Sequence, residues 1–330
     1  MSTPPVTSHT EEPIHIWHHC HHCKAAPIVG KRYHCETCPA GPDNDLCETC
    51  YDLFLKGQIK HPAEESYADT LGMDTHHFTS HEGKSPHLYE SWLSVPHPPV
   101  PEPPLPHPFV VRPIFTSHGD SVMAGYAFAV KIDGRHSFLL TALHVMDEMI
   151  KKKGIDCTDA NTHYTGKELP AVITEVNIYD IFAPNWMLAP LGSAGPMLVL
   201  PDARTSDEEP YSHRDIAVFT LEDTSELKLP SLAQQPPASG EPVWLIARPG
   251  QPHHKNAFKA VVVEQTDRSL VFKYESPEEK PGHTSGAPML NKHGEVVGII
   301  VGGGEFRGHK LGHANHAGNI RKHLFALPEK

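Results

Sequence analysis

A chain of 330 residues has room for one large domain and a smaller one, and its 38% hydrophobic content fits a soluble globular protein. Its 40 acidic and 28 basic residues give a formal net charge of −12, which argues against sequence-independent nucleic-acid binding, because phosphate affinity comes from clustered Lys and Arg. No apolar run approaches the length that crosses a bilayer, so no membrane partner is expected.

Residues 1–13 have neither the basic start nor the apolar core of a signal peptide and read as a disordered lead. The chain is therefore expected to stay inside the cell, cytoplasmic or nuclear and not secreted. Cysteine usage agrees. Of the 7 cysteines, all but Cys157 fall into the pairs Cys20/Cys23, Cys35/Cys38 and Cys47/Cys50. A secreted fold would spread its cysteines through the large domain as disulfides, and Cys157 has no partner there. The 27 histidines lie largely in polar or proline-rich stretches, where most are solvated.

Two residues between paired thiolates let both sulfurs face one ion from a tight turn, which is the ligand spacing of tetrahedral zinc. Three such pairs supply six ligands, so two closed sites need two more, from histidines. The segment Pro27-Ile-Val-Gly-Lys-Arg-Tyr-His-Cys35, followed by Asp45-Leu-Cys-Glu-Thr-Cys50, resembles a ZZ-type zinc finger. The resemblance covers about residues 14–81 and implies two cross-braced structural zinc ions. Cys20, Cys23, Cys47 and Cys50 would hold one. Cys35 and Cys38 would hold the other with His61 and His77, for which His76 and His81 compete. It also implies peptide or N-terminus binding, with Asp43 and Asp45 as candidate carboxylates, although His21 and His22 stand where the family often has an Asp.

Residues 82–108 are proline-dense towards their end and read as an extended, semi-rigid linker. From 109 onwards short β-like runs alternate with turns, among them Phe109–Phe115, Tyr126–Ile132, Asp215–Leu221, Leu270–Tyr274 and Val296–Val301. Strands at that spacing predict an all-β barrel or sandwich. Helical signals in this region are confined to the stretch after Ala142 and to Asn319–Ala326.

Three motifs in this region share one chemistry. A serine hydroxyl becomes a nucleophile when a base takes its proton, and that base needs an orienting carboxylate. Leu139-Leu-Thr-Ala-Leu-His144 ends an apolar strand on a histidine; Asp215-Ile-Ala-Val opens another on an aspartate, with Asp180 and Asp202 in poorer context; Gly282-His-Thr-Ser285-Gly-Ala-Pro places a serine in a tight loop. Taken singly, the histidine reads as a core residue, the aspartate as a strand-boundary turn and the serine as a Gly/Ser turn.

Together, in the order His, Asp, Ser, they resemble a trypsin/chymotrypsin-like serine protease domain over residues 109–327. The resemblance implies a mainly β fold of two six-stranded β-barrels, with His144, Asp215 and Ser285 as catalytic triad. The backbone N–H groups of His283 and Ser285 would form the oxyanion hole, although His283 stands where the family usually has glycine. Glu279, six residues before the serine, would sit at the base of the primary pocket and favour Lys or Arg, unless Glu278 and Glu279 are simply a solvated turn. The expected function is an intracellular serine endopeptidase acting on protein or peptide substrates, with the zinc finger recruiting a protein or peptide partner. The alternative is a catalytically silent protease-like scaffold serving as a zinc-dependent interaction protein.

Overall fold

The computed structural model describes residues 12–36, 44–61, 76–103, 109–132, 136–146, 165–166, 169–181, 190–204, 211–221, 229–248, 256–277 and 282–325. They form two compact units, one ending at Ser94 and one beginning at Val95.

In the first unit, β1 (Ile14–His15) pairs with β2 (Ile28–Val29), and β3 (Arg32–Cys35) lies between β4 (Asp45–Cys47) and β5 (Phe78–His81). Helix α1 (Glu48–Leu55) follows β4 directly and buries Cys50 and Phe54 against Cys20, Ile28 and Leu46. That apolar cluster is too small to hold a fold alone. Residues 82–94, expected as linker, belong to this unit instead. Ser85 caps helix α2 (Pro86–Leu93) by accepting the His87 N–H at 3.3 Å, and Pro86 stands at the first turn, where its missing N–H costs nothing. The helix buries Tyr89 and Trp92, and the Tyr89 hydroxyl donates to the Ile14 carbonyl at 3.2 Å.

The second unit is mainly β. Its first half contains β6 (Val110–Ser117), β7 (Asp120–Met123), β8 (Ala127–Ile132), β9 (His136–Thr141), β10 (Thr165–Gly166), β11 (Glu175–Asp180), β12 (Gly192–Ala194), β13 (Leu200–Arg204) and β14 (Ala217–Thr220). Seven of these form one antiparallel sheet in the order β12-β11-β6-β8-β9-β14, with β7 paired to β6; β10 and β13 pair separately. In β6 the buried residues alternate with half-buried ones, the period of a strand with one face on a core. The second half is a closed barrel in which β15 (Pro242–Ile246), β16 (Ala257–Gln265), β17 (Leu270–Tyr274), β18 (Pro288–Leu290), β19 (Val296–Phe306) and β20 (His309–His316) run in the order β15-β16-β17-β20-β19-β18. Helix α3 (Ala317–Phe325) follows it.

Of the two six-stranded barrels expected, one is thus present, and the other half is a seven-stranded sheet with two ends among the described residues. The ends are linked irregularly. The Gly195 N–H donates to the Thr220 carbonyl and the Leu198 N–H to the Val218 carbonyl, each at 2.8 Å. Pro196 has no N–H to donate, and one isolated antiparallel bridge joins Met197 to Phe219, so the link is not a regular ladder. The proline-rich stretch also departs from the expectation of a linker over residues 82–108. Residues 95–103 belong to the second unit: Lys273 Nζ donates to the Val95 carbonyl at 2.6 Å, and Val100 packs against the main core.

Candidate active site and metal centre

Strands β9 and β14 pair antiparallel, with Thr141 opposite Ala217. The C-terminal end of one therefore lies beside the N-terminal start of the other, and the turn Leu143–Met146 meets the residue that follows the turn Tyr211–Arg214. This is how the fold brings His144 to Asp215. Asp215 Oδ2 lies 2.5 Å from His144 Nδ1, and Oδ1 accepts the His144 backbone N–H at 3.0 Å. The carboxylate is 1% exposed and the imidazole 26%. Two bonds to one residue fix both the ring and the backbone that carries it. The alternatives Asp180 and Asp202 lie in β11 and β13.

Ser285 sits in a loop stitched into the surrounding sheet. Its carbonyl accepts the Tyr126 N–H at 2.8 Å, the Gly286 N–H donates to the Ile300 carbonyl at 2.9 Å, and the Ile300 N–H donates to the Ala287 carbonyl at 2.9 Å. Thr141 Oγ1 donates to the Tyr126 carbonyl at 2.6 Å. Gly286 has φ +82°, and a Cβ there would come 2.1 Å from the Tyr126 carbonyl oxygen and 2.4 Å from Thr141 Oγ1, so only glycine fits. A Cβ at Gly125 would meet Val145 Cγ1 at 2.4 Å and the Ser285 carbonyl oxygen at 2.7 Å. The serine's backbone and the residue next to His144 are therefore close neighbours.

His283 adopts φ +58°, the left-handed region in which a side chain costs about 1–2 kcal/mol and glycine nothing. The position is glycine-like in conformation while carrying an imidazole. Glu279 lies outside the described residues. Past Ile300, β19 pairs with β20 on one side, while β18 pairs with it only as far as Ile299. Among the described residues the other edge of 301–304 has no strand partner, and after Val301 the residues Gly302, Gly303 and Gly304 carry no side chains.

In the first unit the sulfurs of Cys20, Cys23, Cys47 and Cys50 all lie within 4.8 Å of one another. Cys23 and Cys47 are 3.8 Å apart, far beyond a disulfide. A tetrahedral zinc with Zn–S of about 2.3 Å sets its sulfurs about 3.8 Å apart, so the cluster fits that ion. Burial pushes the Cys50 thiol well above its ordinary value, as do bonds to the neighbouring cysteines; a thiolate there calls for a cation.

Cys35, His61 and His76 form a second group whose ligand atoms lie within 4.8 Å of one another, with Cys35 Sγ 3.4 Å from His76 Nδ1. Both ring nitrogens of His61, which is 3% exposed, are buried without a hydrogen-bond partner. Cys38 lies outside the described residues. Of the competing histidines, His76 lies in this group, and His77, expected as a ligand, does not. Alternation explains the exchange: His76 and Phe78 are two residues apart and both pack on Phe54 and His61, which turns the intervening His77 to the other side. His81 is at the far end of β5, opposite Arg32.

Asp45 departs from its expected role at a peptide amine. It is 4% exposed, and its carboxylate binds Arg32 Nη1 at 2.5 Å, His34 Nδ1 at 2.9 Å and His18 Nδ1 at 2.9 Å. Burial alone would push its pKa up. The bonds from His18 and His34 and the charge of Arg32 outweigh this and hold it far below the usual carboxylate range. That carboxylate braces β3 against β4. Asp43 lies outside the described residues.

A histidine held by a buried carboxylate, together with a serine loop bonded into a closed antiparallel barrel, is the frame of a serine-peptidase fold. The family model described as Trypsin-like peptidase domain matches residues 125–299, and the chain belongs to that family. The model for the ZZ-type zinc finger matches residues 14–60. No curated protein matches the chain. Among solved structures, the active form of a protease from M. tuberculosis is similar at 15% identity and TM-score 0.41, covering 71% of this chain and 93% of its own. The serine endoprotease from Yersinia pestis is similar at 14% identity and TM-score 0.41, covering 72% of this chain and 65% of its own.

Proposed function

We propose that the chain is a serine endopeptidase in which Ser285 is the nucleophile, His144 the general base and Asp215 the residue that orients it. The observation that carries this reading is the paired bond from one buried carboxylate to the Nδ1 and the backbone N–H of His144. With Nδ1 committed to Asp215, Nε2 takes the Ser285 proton as Oγ attacks the peptide carbonyl, then returns it to the departing amine. Asp215 stabilises the imidazolium that forms in between. The N–H groups of His283 and Ser285 would hold the developing oxyanion. An extended substrate would add to the open edge at 301–304 by backbone hydrogen bonds, with the glycines giving it room.

Two structural zinc ions would hold the finger, one on Cys20, Cys23, Cys47 and Cys50 and one on Cys35, Cys38, His61 and His76. The finger would recruit a protein or peptide partner. None of Cys20, Cys23, Cys35, Cys47 and Cys50 is in a disulfide, which supports a reducing, intracellular setting. The silent-scaffold reading draws on the strained His283, but it leaves the His144–Asp215 geometry without a purpose.

Incubating the full chain with an unfolded protein substrate tests the proposal. Cleavage by the wild type that disappears in Ser285→Ala is expected. Equal cleavage by both chains, or none by the wild type, would refute it. Recruitment is tested separately: removing residues 1–94 should slow cleavage of a folded protein substrate and spare a short peptide.

A further inference from the structure

We propose that Arg112 is a positioning residue for the nucleophile loop, clamping the peptide between Gly125 and Tyr126 so that the Tyr126 N–H holds Ser285 in place. The inference rests on Ser285 acting as the nucleophile. Arg112 lies in β6 between the buried Val111 and Pro113, at one of the half-buried positions of the alternating strand. Its guanidinium donates from Nη1 to the Gly125 carbonyl at 2.7 Å and from Nη2 to the Tyr126 hydroxyl at 3.3 Å. Its Cζ sits 4.1 Å from the centroid of the Tyr126 ring. A planar, permanently charged fork can bond a carbonyl and stack on an aromatic face at once, and a lysine cannot.

What Arg112 fixes is the junction of the site. Tyr126 is 0% exposed, and its peptide groups point two ways: the N–H donates to the Ser285 carbonyl, and the carbonyl accepts from Thr141, in the strand that leads into the His144 turn. Gly125, whose carbonyl Arg112 holds, touches both Val145 and Ser285 so closely that no side chain fits. A shift of this dipeptide therefore moves the nucleophile relative to its base. A displacement of about 1 Å in such geometry costs on the order of 100-fold in rate. Burial pushes the Tyr126 phenol above its ordinary pKa, against the opposing pull of Arg112, so the ring partner stays neutral around the cation. Because Arg112 is half-buried, shortening it leaves no large void in the core.

The test uses the full chain as wild type, Arg112→Met and Arg112→Lys, each reacted with a fluorophosphonate probe to separate the maximal inactivation rate from the probe's affinity. Thermal unfolding is followed in parallel. Arg112→Met should lower the maximal rate tenfold or more with affinity changed less than twofold, and Arg112→Lys should recover part of the loss through its single bond to the Gly125 carbonyl. If Arg112→Met does not fold, Arg112→Lys decides alone, and its maximal rate must then fall at an unchanged melting temperature. A maximal rate within twofold of wild type in the folded variants, or a loss that only tracks the unfolded fraction, overturns the proposal. A wild-type chain that never reacts with the probe refutes the peptidase reading itself, which a normal wild-type rate with unaffected variants would not do.

Discussion

Asp215 has both carboxylate oxygens on His144, and this pair was legible in the sequence because each residue sits in its own short motif at a strand end. Replacing Asp215 with Asn keeps the shape but presents the wrong tautomer to the base; turnover should drop by about four orders of magnitude, with folding intact by circular dichroism. His283 was visible as a departure from glycine, but its cost was not, because φ is a property of the folded loop. At φ +58° the imidazole is held where glycine is unstrained. His283→Gly should therefore stabilise the chain by about 1 kcal/mol in urea unfolding without slowing catalysis, whereas His283→Ala should gain nothing. Equal stability of the two variants would contradict the strain. Asp45 misled for the opposite reason: a carboxylate near zinc ligands looks available until Arg32, His34 and His18 are seen to surround it.

Strand alternation in and just before β5 sets His76, and not His77, beside Cys35 and His61. Cysteine spacing fixed the pairs, but the histidine beyond a long stretch of sequence could not be chosen by counting, since the choice depends on which side of the chain packs against Phe54. His76→Ala should cut bound zinc from two ions per chain to about one, as measured by metal analysis after dialysis, and His77→Ala should leave two; the reverse pattern would restore His77 as the ligand. Helix α2 escaped the reading although its start signals, Ser85 as cap and Pro86 after it, were present in the sequence. The proline content of the following residues masked them. The irregular link from Gly195 to β14 carries no strand signature, because a glycine followed by a proline, which has no N–H to donate, reads as a turn.

At the scale of the molecule, the division into a cysteine-rich unit and a β-rich peptidase unit follows from composition, while the boundary between them does not. The first unit runs on to Ser94, and residues 95–103 lie on the second through Lys273 and Val100, contacts that no local pattern announces. The peptidase unit also carries a titration liability. Burial pushes the imidazoles of His316 and His323 below their ordinary pKa, and it does the same to His97, where the charge of Lys273 adds to the effect. The unfolded chain therefore takes up protons first as pH falls below about 6.5, and stability is lost from there downward. The melting temperature of the peptidase unit should fall between about pH 7 and pH 5, and a His316→Gln, His323→Gln double variant should show a shallower fall; an identical slope would contradict this origin. The account as a whole depends on His144 activating Ser285. The most direct measurement is peptide mapping by mass spectrometry after the intact chain has reacted with a fluorophosphonate. A single adduct on Ser285 that vanishes in His144→Ala is the predicted result, and an adduct on another residue, or one on Ser285 that persists without His144, would contradict it.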